Sequence, residues 1–365
     1  MKYNLLGKKM SPVCFLGDSK LLLYKLGKLY IYDFNSLETL CIHDLLNSFR
    51  ARYITNFCFL NRLLRLGIRC SISISDTSFL FCAEKKIYEY DIKTKRCSWK
   101  YTSERGVLTF TEICNIPEFE SGIYWGEYFD NKYRTEVNIK RILLSESEEI
   151  VYTFPSNTIY HIHNLLPDKN NNCVWIFTGD LDSESGIWKA TDNFRKVEPV
   201  MVGKQLYRAC VAFVVPEGIL YATDSPDETN YICLLYKEGE TYKVRKIQEI
   251  AGPVIYGTRY KDKYCFSTTV EPAIIKKYSK KEYLRYLFTM KKGKGVKDYK
   301  SHLYMGTLQE GFADIYSVRK DFLPMGLFQF GAIIFPNTNG FNPDKLVFYQ
   351  MATSKNNMDT LILDI

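Results

Sequence analysis

Residues 28–34 read KLYIYDF, and runs of the same kind recur along the chain. They begin roughly 45 to 60 residues apart, except for one wider gap between the fifth and the sixth. Each follows a more apolar run, and most precede another alternating run after a polar turn. Four short strands per repeat at this period are typical of a β-propeller. The six later runs are KIYEYDI (86–92), EVNIKRI (136–142), GIWKAT (186–191), YICLLY (231–236), HLYMGT (302–307) and TLILDI (360–365).

We therefore predict an all-β chain in which residues 1–365 form a single β-propeller domain. Seven four-stranded blades fit the repeats best, with six or eight as the alternatives. The last blade contributes FGAIIFP, KLVFYQMA and TLILDI, and the chain then stops one strand short. We expect the N-terminal KYNLL to supply the missing outer strand, because closing the ring removes an exposed sheet edge.

Apolar runs and cysteine spacing predict the cellular localisation of the protein. No apolar run approaches the length of a membrane span, and Lys8 and Lys9 fall where a signal peptide would need its apolar segment. The eleven cysteines are scattered without ligand spacing such as CxxC. We expect a cytoplasmic protein with reduced thiols and no transmembrane segment. The sequence indicates no oligomeric state.

The net charge of +8 is unevenly placed. Residues 273–301 form a basic insert in blade 6, and YSKKEYLRYLF within it has helical spacing. This insert is either a solvated surface segment or a helical lid over the channel face that attracts an anionic ligand. The rest of the chain carries no basic stripe and no recognition motif, so nucleic acid is not an expected partner.

Four successive blades place an acidic residue where the second strand ends. Strand-to-strand loops at this position open on one face of a propeller, and the inner strands begin on the same face. An aspartate there also commonly caps a turn, which is the structural alternative for Asp180 and Asp224. Glutamate does this poorly, so the four together favour a functional site. They lie in WGEYF (Glu127), FTGD (Asp180), ATDS (Asp224) and TTVEP (Glu271).

The beginnings of the inner strands bring further polar residues to this face. His161 and His163 alternate in blade 4, so their side chains point to the same side. Burying two imidazoles without partners is costly, so both are predicted to face the channel. Arg208 in blade 5 and Tyr256 in blade 6 occupy corresponding positions.

The span from about Gly122 to Pro272 resembles the sialidase-like, Asp-box-containing propellers associated with surface-polysaccharide clusters. GEYF, HIHN, VWIFTGD, YRA, ATDS and TTVEP carry the resemblance. The Asp box survives only in outline: KATDNFRKV keeps Asp192, and LLSESEEIV has Glu in place of Asp. Sialidases hold a substrate carboxylate with three arginines, whereas here Arg208 is joined only by Arg134 and Arg259 as candidate helpers. The resemblance implies a propeller that binds carbohydrate.

The first functional hypothesis is a glycoside hydrolase acting on an anionic or surface-polysaccharide-related saccharide. This chemistry needs two carboxylates that flank the bond, for which Glu127 and Glu271 are the candidates. His161 or His163 could replace one of them as the acid or base. Asp180, Arg208, Asp224, Tyr256 and Arg134 are predicted to bind the substrate. No cofactor is expected for this reaction.

Two alternatives remain open at this point. A metal-dependent polysaccharide lyase would hold a divalent ion at His161 and His163, with carboxylates completing the ligand set. A non-catalytic propeller would bind a glycan, a glycan precursor or a protein partner, since the fold does not fix the function.

Overall fold

The computed structural model describes residues 2–45, 57–75, 77–83, 85–142, 148–273, 279–338 and 344–364. Its strands form seven separate four-stranded sheets, and within each sheet neighbouring strands are antiparallel. The prediction of an all-β propeller with seven four-stranded blades is confirmed. The described part of the chain contains no helix long and apolar enough to cross a membrane.

The first three blades follow one another in the order of the sequence. Blade 1 consists of β2 (Ser11–Leu16), β3 (Lys20–Lys25), β4 (Lys28–Asp33) and β5 (Glu38–Asp44). Blade 2 consists of β6 (Ile68–Ser73), β7 (Ser78–Ala83), β8 (Lys86–Asp91) and β9 (Arg96–Thr102). Blade 3 consists of β10 (Thr111–Ile113), β11 (Gly122–Gly126), β12 (Val137–Ile142) and β13 (Glu148–Phe154).

Blades 4, 5 and 6 have the strands that the repeats predict. Blade 4 consists of β14 (His161–Asp168), β15 (Cys173–Gly179), β16 (Gly186–Thr191) and β17 (Lys196–Val202). Blade 5 consists of β18 (Ala209–Val215), β19 (Gly218–Thr223), β20 (Asn230–Glu238) and β21 (Thr241–Ile250). Blade 6 consists of β22 (Val254–Tyr260), β23 (Lys263–Thr268), β24 (Lys300–Thr307) and β25 (Gly311–Arg319).

Blade 7 joins the two ends of the chain. It consists of β26 (Ala332–Ile334), β27 (Leu346–Met351), β28 (Thr360–Asp364) and, as its outer strand, β1 (Lys2–Gly7). Strands β1 and β28 pair in antiparallel register, with Tyr3 opposite Leu363. The predicted closure of the ring by the N-terminal strand is therefore confirmed.

The core lies between neighbouring blades, which pack face to face. Between blades 3 and 4, for example, Tyr124 and Ile139 of one sheet form a cluster with Ile162 and Ile176 of the next. All four are buried. Burying a side chain of this size contributes about 1.5–3 kcal/mol, so each blade is held mainly by its neighbours.

Among the described residues, three short α-helices lie in the connections between strands: α1 (Cys58–Leu64), α2 (Lys280–Leu287) and α3 (Met325–Phe328). Helix α2 lies in the predicted basic insert, and its first turn is closed by a reciprocal capping box between Ser279 and Glu282. Residues 274–278 of the insert lie outside the described part of the chain. Helix α3 contacts both α1 and α2.

Candidate functional site

The ends of the second strands bring polar residues to one face, as the repeats predict. Asp180 follows β15 directly, Asp224 follows β19, and Glu271 lies three residues beyond β23. The inner strand of blade 4 begins at His161, and Arg208 immediately precedes the inner strand of blade 5. These side chains form one cluster, which we call the rim cluster: His161, His163, Asp180, Arg208, Asp224 and Glu271.

Arg208 lies between two carboxylates from neighbouring blades. Its Nη2 is 3.1 Å from Oδ1 of Asp180 and 3.0 Å from Oδ2 of Asp224. Its Nη1 also donates to the backbone carbonyl of Asp180, at 3.1 Å. Burial opposes the ionisation of Asp180, but the charges of Arg208 and His161 hold the pKa of this carboxyl well below its usual range. Arg208 therefore acts as the buried counter-ion of two acids.

The two histidines and Asp180 form a close triangle of donor atoms. The Nε2 atoms of His161 and His163 are 3.0 Å apart. Oδ1 of Asp180 lies 3.4 Å from Nε2 of His161 and 3.3 Å from Nε2 of His163. Both imidazoles are buried, and each has polar partners within hydrogen-bonding distance. Burial lowers the pKa of His163, which keeps its ring neutral at pH 7.

A backbone carbonyl determines the tautomer of His161. Its Nδ1 lies 3.0 Å from the carbonyl oxygen of Phe129, which can only accept a hydrogen bond. In the neutral form of His161 the proton is therefore on Nδ1, and Nε2 presents a lone pair to His163 and Asp180. Carbonyl acceptors behind metal-binding histidines commonly have this orienting role.

Gly179 has no side chain, and this absence makes room for the imidazole of His163. A Cβ at this position would lie 2.5 Å from Cε1 of His163 and 3.2 Å from Cγ of Arg208. Any side chain would displace one of the two. The glycine of the FTGD sequence therefore permits the close approach of the imidazole to the end of the second strand.

Glu271 is the acid of the rim cluster whose pKa is raised above its ordinary value. Burial and the charge of Asp224 raise its pKa to about 8, although Thr269 donates a hydrogen bond to its Oε1 at 2.5 Å. The hydroxyl of Tyr256 lies near Glu271. Burial and the charge of Glu271 together raise the pKa of this hydroxyl to about 12. A carboxyl whose pKa is raised in this way has the property that a general acid or base requires.

Three residues near the rim cluster were not predicted. The Cζ of Arg69 lies 5.2 Å from the ring centroid of Tyr128, whose ring is 4.1 Å from that of His161. The thiol of Cys210 donates to Oδ2 of Asp224, at 3.4 Å. Cys210 lies two residues after Arg208, and Arg69 is the second residue of the inner strand of blade 2, whereas His161 is the first of that of blade 4. These two correspondences were the available signals.

Arg69 differs from Arg208 in its charge balance. It is exposed, and within the described part of the chain its guanidinium forms no salt bridge. Its positive charge acts on Tyr128 and on Tyr256, where it opposes the rise in pKa that burial causes. Arg69 is thus a cation near the rim cluster that no carboxylate of the described residues neutralises.

Two residues predicted for the site have other partners. The buried carboxylate of Glu127 lies 3.1 Å from Nη1 of Arg105 and 3.6 Å from Nζ of Lys140, and it also accepts from the amide of Asn138. The structure therefore gives Glu127 a place in an ion-pair network of blade 3.

Arg134 lies one layer behind the histidines. It forms an ion pair with Glu184, and its Cζ lies 4.6 Å from the ring centroid of Tyr160. The ring of Tyr160 in turn contacts that of His161, with 4.9 Å between centroids. Arg134 supports the wall of the site and is not brought into the rim cluster.

The triangle of His161, His163 and Asp180 has the donors that a divalent ion requires. Imidazole nitrogen and carboxylate oxygen suit Zn²⁺ and Mn²⁺. Separations of 3.0 to 3.4 Å between donor atoms are those of ligands that share one ion at about 2.0–2.2 Å from each. A second set also lies within 4.8 Å, namely His163, Cys210 and Asp224. The residues present therefore fit a divalent metal.

The sequence matches no family model and no curated protein. Solved structures are nevertheless similar in fold over nearly the whole chain. An oligogalacturonate lyase in complex with manganese is 11% identical, with a TM-score of 0.54 over 98% of this chain and 91% of that one. An oligogalacturonate lyase from Vibrio parahaemolyticus is 9% identical, with the same TM-score over 98% and 90%. The AfRom2 CNH domain is 6% identical, with a TM-score of 0.57 over 100% and 99%. At these identities the likeness shows the propeller fold alone.

Proposed function

We propose that this protein is a carbohydrate-active propeller enzyme, a lyase that cleaves a uronate-containing saccharide by β-elimination with a divalent cation. The observation that carries the proposal is the triangle formed by Nε2 of His161, Nε2 of His163 and Oδ1 of Asp180. These residues would hold the cation. The cation would neutralise the uronate carboxylate and so make the proton on the adjacent carbon more acidic.

The charges of the rim favour a cation there. Arg208 balances one of its two acids, so Arg208, Asp180 and Asp224 together carry one net negative charge. An anionic sugar would be repelled by such a site unless further positive charge were present. A divalent cation would reverse the sign of the cluster, and Arg69, which pairs with no carboxylate of the described residues, adds a positive charge beside it.

Arg69 is the residue that we propose for binding the sugar carboxylate. A guanidinium can bind a carboxylate through two parallel hydrogen bonds. Arg208, which the sequence suggests for this role, already donates to Asp180 and Asp224. In the proposal Arg208 instead positions the metal-binding carboxylate, because it holds Asp180 through both its side chain and its backbone carbonyl.

Glu271 is proposed to transfer the proton. With a pKa of about 8, a minor fraction is ionised at neutral pH, and this fraction is a stronger base than an ordinary carboxylate. Its carboxylate removes the proton on the carbon next to the uronate carboxyl. A double bond then forms to the neighbouring carbon, whose bond to the leaving sugar oxygen breaks. The protonated Glu271 donates that proton to the leaving oxygen and returns to its starting state.

The similarity in fold to an oligogalacturonate lyase in complex with manganese supports this choice among propeller functions. Cytoplasmic localisation and the resemblance to sialidase-like propellers remain predictions. A uronate oligosaccharide is a ligand class that both resemblances allow.

A glycoside hydrolase is the second candidate, and the protonation of Glu271 favours it. A carboxylic acid with a pKa of about 8 is a suitable general acid at neutral pH, as such hydrolases require. In this version the partner carboxylate would be Asp180 or Asp224. The two reactions depend on opposite forms of Glu271, so their pH profiles are opposite.

The test is to incubate the purified protein with a panel of uronate oligosaccharides, with and without Mn²⁺. A lyase produces an unsaturated product that absorbs in the ultraviolet, together with a new reducing end. A hydrolase produces the reducing end without the absorbance. Binding without either product would instead make the propeller a non-catalytic glycan-binding module.

A further inference from the structure

A cavity of about 710 Å³ lies among the connections of the face that carries the rim cluster. Its walls come from α1, from the end of the basic insert, from the connection between β25 and β26, and from the loop between β27 and β28. Met325 lines it, and the same side chain packs against Val270, the neighbour of Glu271. The cavity is therefore adjacent to the rim cluster, but its lining contains none of the rim-cluster residues.

The cavity contains two buried cations that share one carboxylate. Nη1 of Arg62 lies 2.5 Å from Oδ2 of Asp321, and Nζ of Lys320 lies 2.9 Å from Oδ1 of the same residue. Arg62 also donates to the carbonyl of Phe328, at 3.0 Å, and Lys320 to that of Leu323, at 2.7 Å. These contacts hold the group in place but leave it one positive charge in excess.

The excess charge affects Lys320. Burial and the charge of Arg62 lower the pKa of its ammonium, although Asp321 opposes this effect. Arg319 adds a further cation to the lining. It is exposed, and its guanidinium has no hydrogen-bond or ion-pair partner in the described part of the chain. Arg62, Lys320 and Arg319 together with Asp321 give the cavity lining a net charge of +2, which would attract an anion.

The same lining exposes large apolar side chains. Met290 is 50% exposed, Tyr299 is 39% exposed and Phe322 is 80% exposed, and all three border the cavity. A single exposed apolar residue needs no explanation, but three large apolar side chains beside one cavity mark a surface that gains by being covered. Apolar walls around a few polar groups are typical of small-molecule sites.

We propose that this cavity binds a small organic anion, a carboxylate or phosphate attached to an apolar, aromatic body. The anionic group lies at Arg319, over the positive group of Arg62 and Lys320, and the apolar body contacts Phe322, Tyr299 and Met290. Inorganic phosphate alone fills only the charged part. The site does not depend on the function proposed for the rim cluster.

The probe is the fluorescent dye anilinonaphthalene sulfonate, an aromatic anion, compared with the neutral dye N-phenyl-naphthylamine. We expect saturable binding of the anionic dye to the folded protein. Arg319→Gln should weaken it about ten- to a hundredfold, because one hydrogen bond to a charged group is lost. Phe322→Ser should weaken both dyes. Arg319→Gln should leave the neutral dye unchanged.

Matched controls are Arg245→Gln and Leu40→Ser, which remove an exposed arginine and an exposed apolar residue elsewhere. Both should bind the dyes as the wild type does, and thermal melting checks that every variant is folded. Displacement of the dye by naphthoate or by naphthyl phosphate identifies the preferred anionic group. Unchanged binding in both Arg319→Gln and Phe322→Ser, or failure of both competitors to displace the dye, would overturn the proposal.

Discussion

The Nε2 atoms of His161 and His163 lie 3.0 Å apart, and both face the same carboxylate oxygen of Asp180. The carbonyl of Phe129 accepts the proton on Nδ1 of His161, so in the neutral form of this ring Nε2 carries no proton. A lone pair of His161 therefore remains directed at its neighbours. This geometry is the basis of the cation site in the proposed function.

The first prediction concerns cation binding by the histidines. Wild-type protein should be stabilised by Mn²⁺ or Zn²⁺, because a ligand that binds only the folded state adds about 2.7 kcal/mol at one hundred times its dissociation constant. His161→Gln and His163→Gln should lose this stabilisation. His43→Gln is the control, since His43 lies on β5 and packs against Tyr90. Thermal melting with increasing metal measures the effect, and equal stabilisation of all three variants would contradict it.

The second prediction separates the two arginines of the rim. Arg208→Gln removes the counter-ion of two buried acids and should lower the free energy of unfolding by about 3–5 kcal/mol. Arg69→Gln should leave stability nearly unchanged and raise KM for a uronate substrate about ten- to a hundredfold, the worth of one charged hydrogen bond. Urea unfolding and steady-state kinetics measure the two effects. A stable Arg208→Gln variant would refute the counter-ion role.

The rim illustrates what the sequence could and could not predict. The repeats predict which loops share a face, so Asp180, Asp224, Arg208 and the two histidines are brought together as expected. No local pattern records that two carboxylates from neighbouring blades neutralise Arg208. Whether a cation is free or already paired depends on distances across the ring, which the order of residues does not contain.

Glu127 and Arg69 show the same limit of sequence-based prediction. Glu127 is predicted for the site but has other partners, whereas Arg69 is not predicted and lies near the site. Glu127 has the position of a rim acid, but Arg105 comes from the connection before β10 and pairs with it. Arg69 belongs to blade 2, whose repeat is weak in the sequence, and only the closed ring places its charge near Tyr128 and Tyr256. Once the blades are assigned, its position near the start of an inner strand predicts that it lies on the same face as the rim cluster.

The third prediction concerns Glu127, which we expect to be structural. Glu127→Gln removes ion pairs with Arg105 and Lys140 and should cost about 1–3 kcal/mol of stability. It should leave kcat within about twofold of the wild type if folding is maintained. Glu271→Gln is the matched comparison and should abolish turnover. Loss of turnover in a folded Glu127→Gln variant would return Glu127 to the catalytic set.

The fourth prediction concerns the pH dependence of stability. The pKa of Glu271 is raised in the folded state from 4.5 to about 8, so between these values the folded protein binds more protons than the unfolded chain. Its contribution to stability is complete below about 4.5 and is lost as the pH rises through about 8. Glu271→Gln should therefore become more stable relative to the wild type as pH increases. Urea unfolding of both proteins across this range measures the difference, and a constant difference would contradict the raised pKa.

The central claim is tested most directly by the pH profile of uronate cleavage, followed through the ultraviolet absorbance of an unsaturated product in the presence of Mn²⁺. We predict that this absorbance develops, that its rate rises with pH through about 8 as Glu271 ionises, and that Glu271→Gln abolishes it. New reducing ends without the absorbance, at a rate that falls above about pH 8, would contradict the lyase and favour the hydrolase.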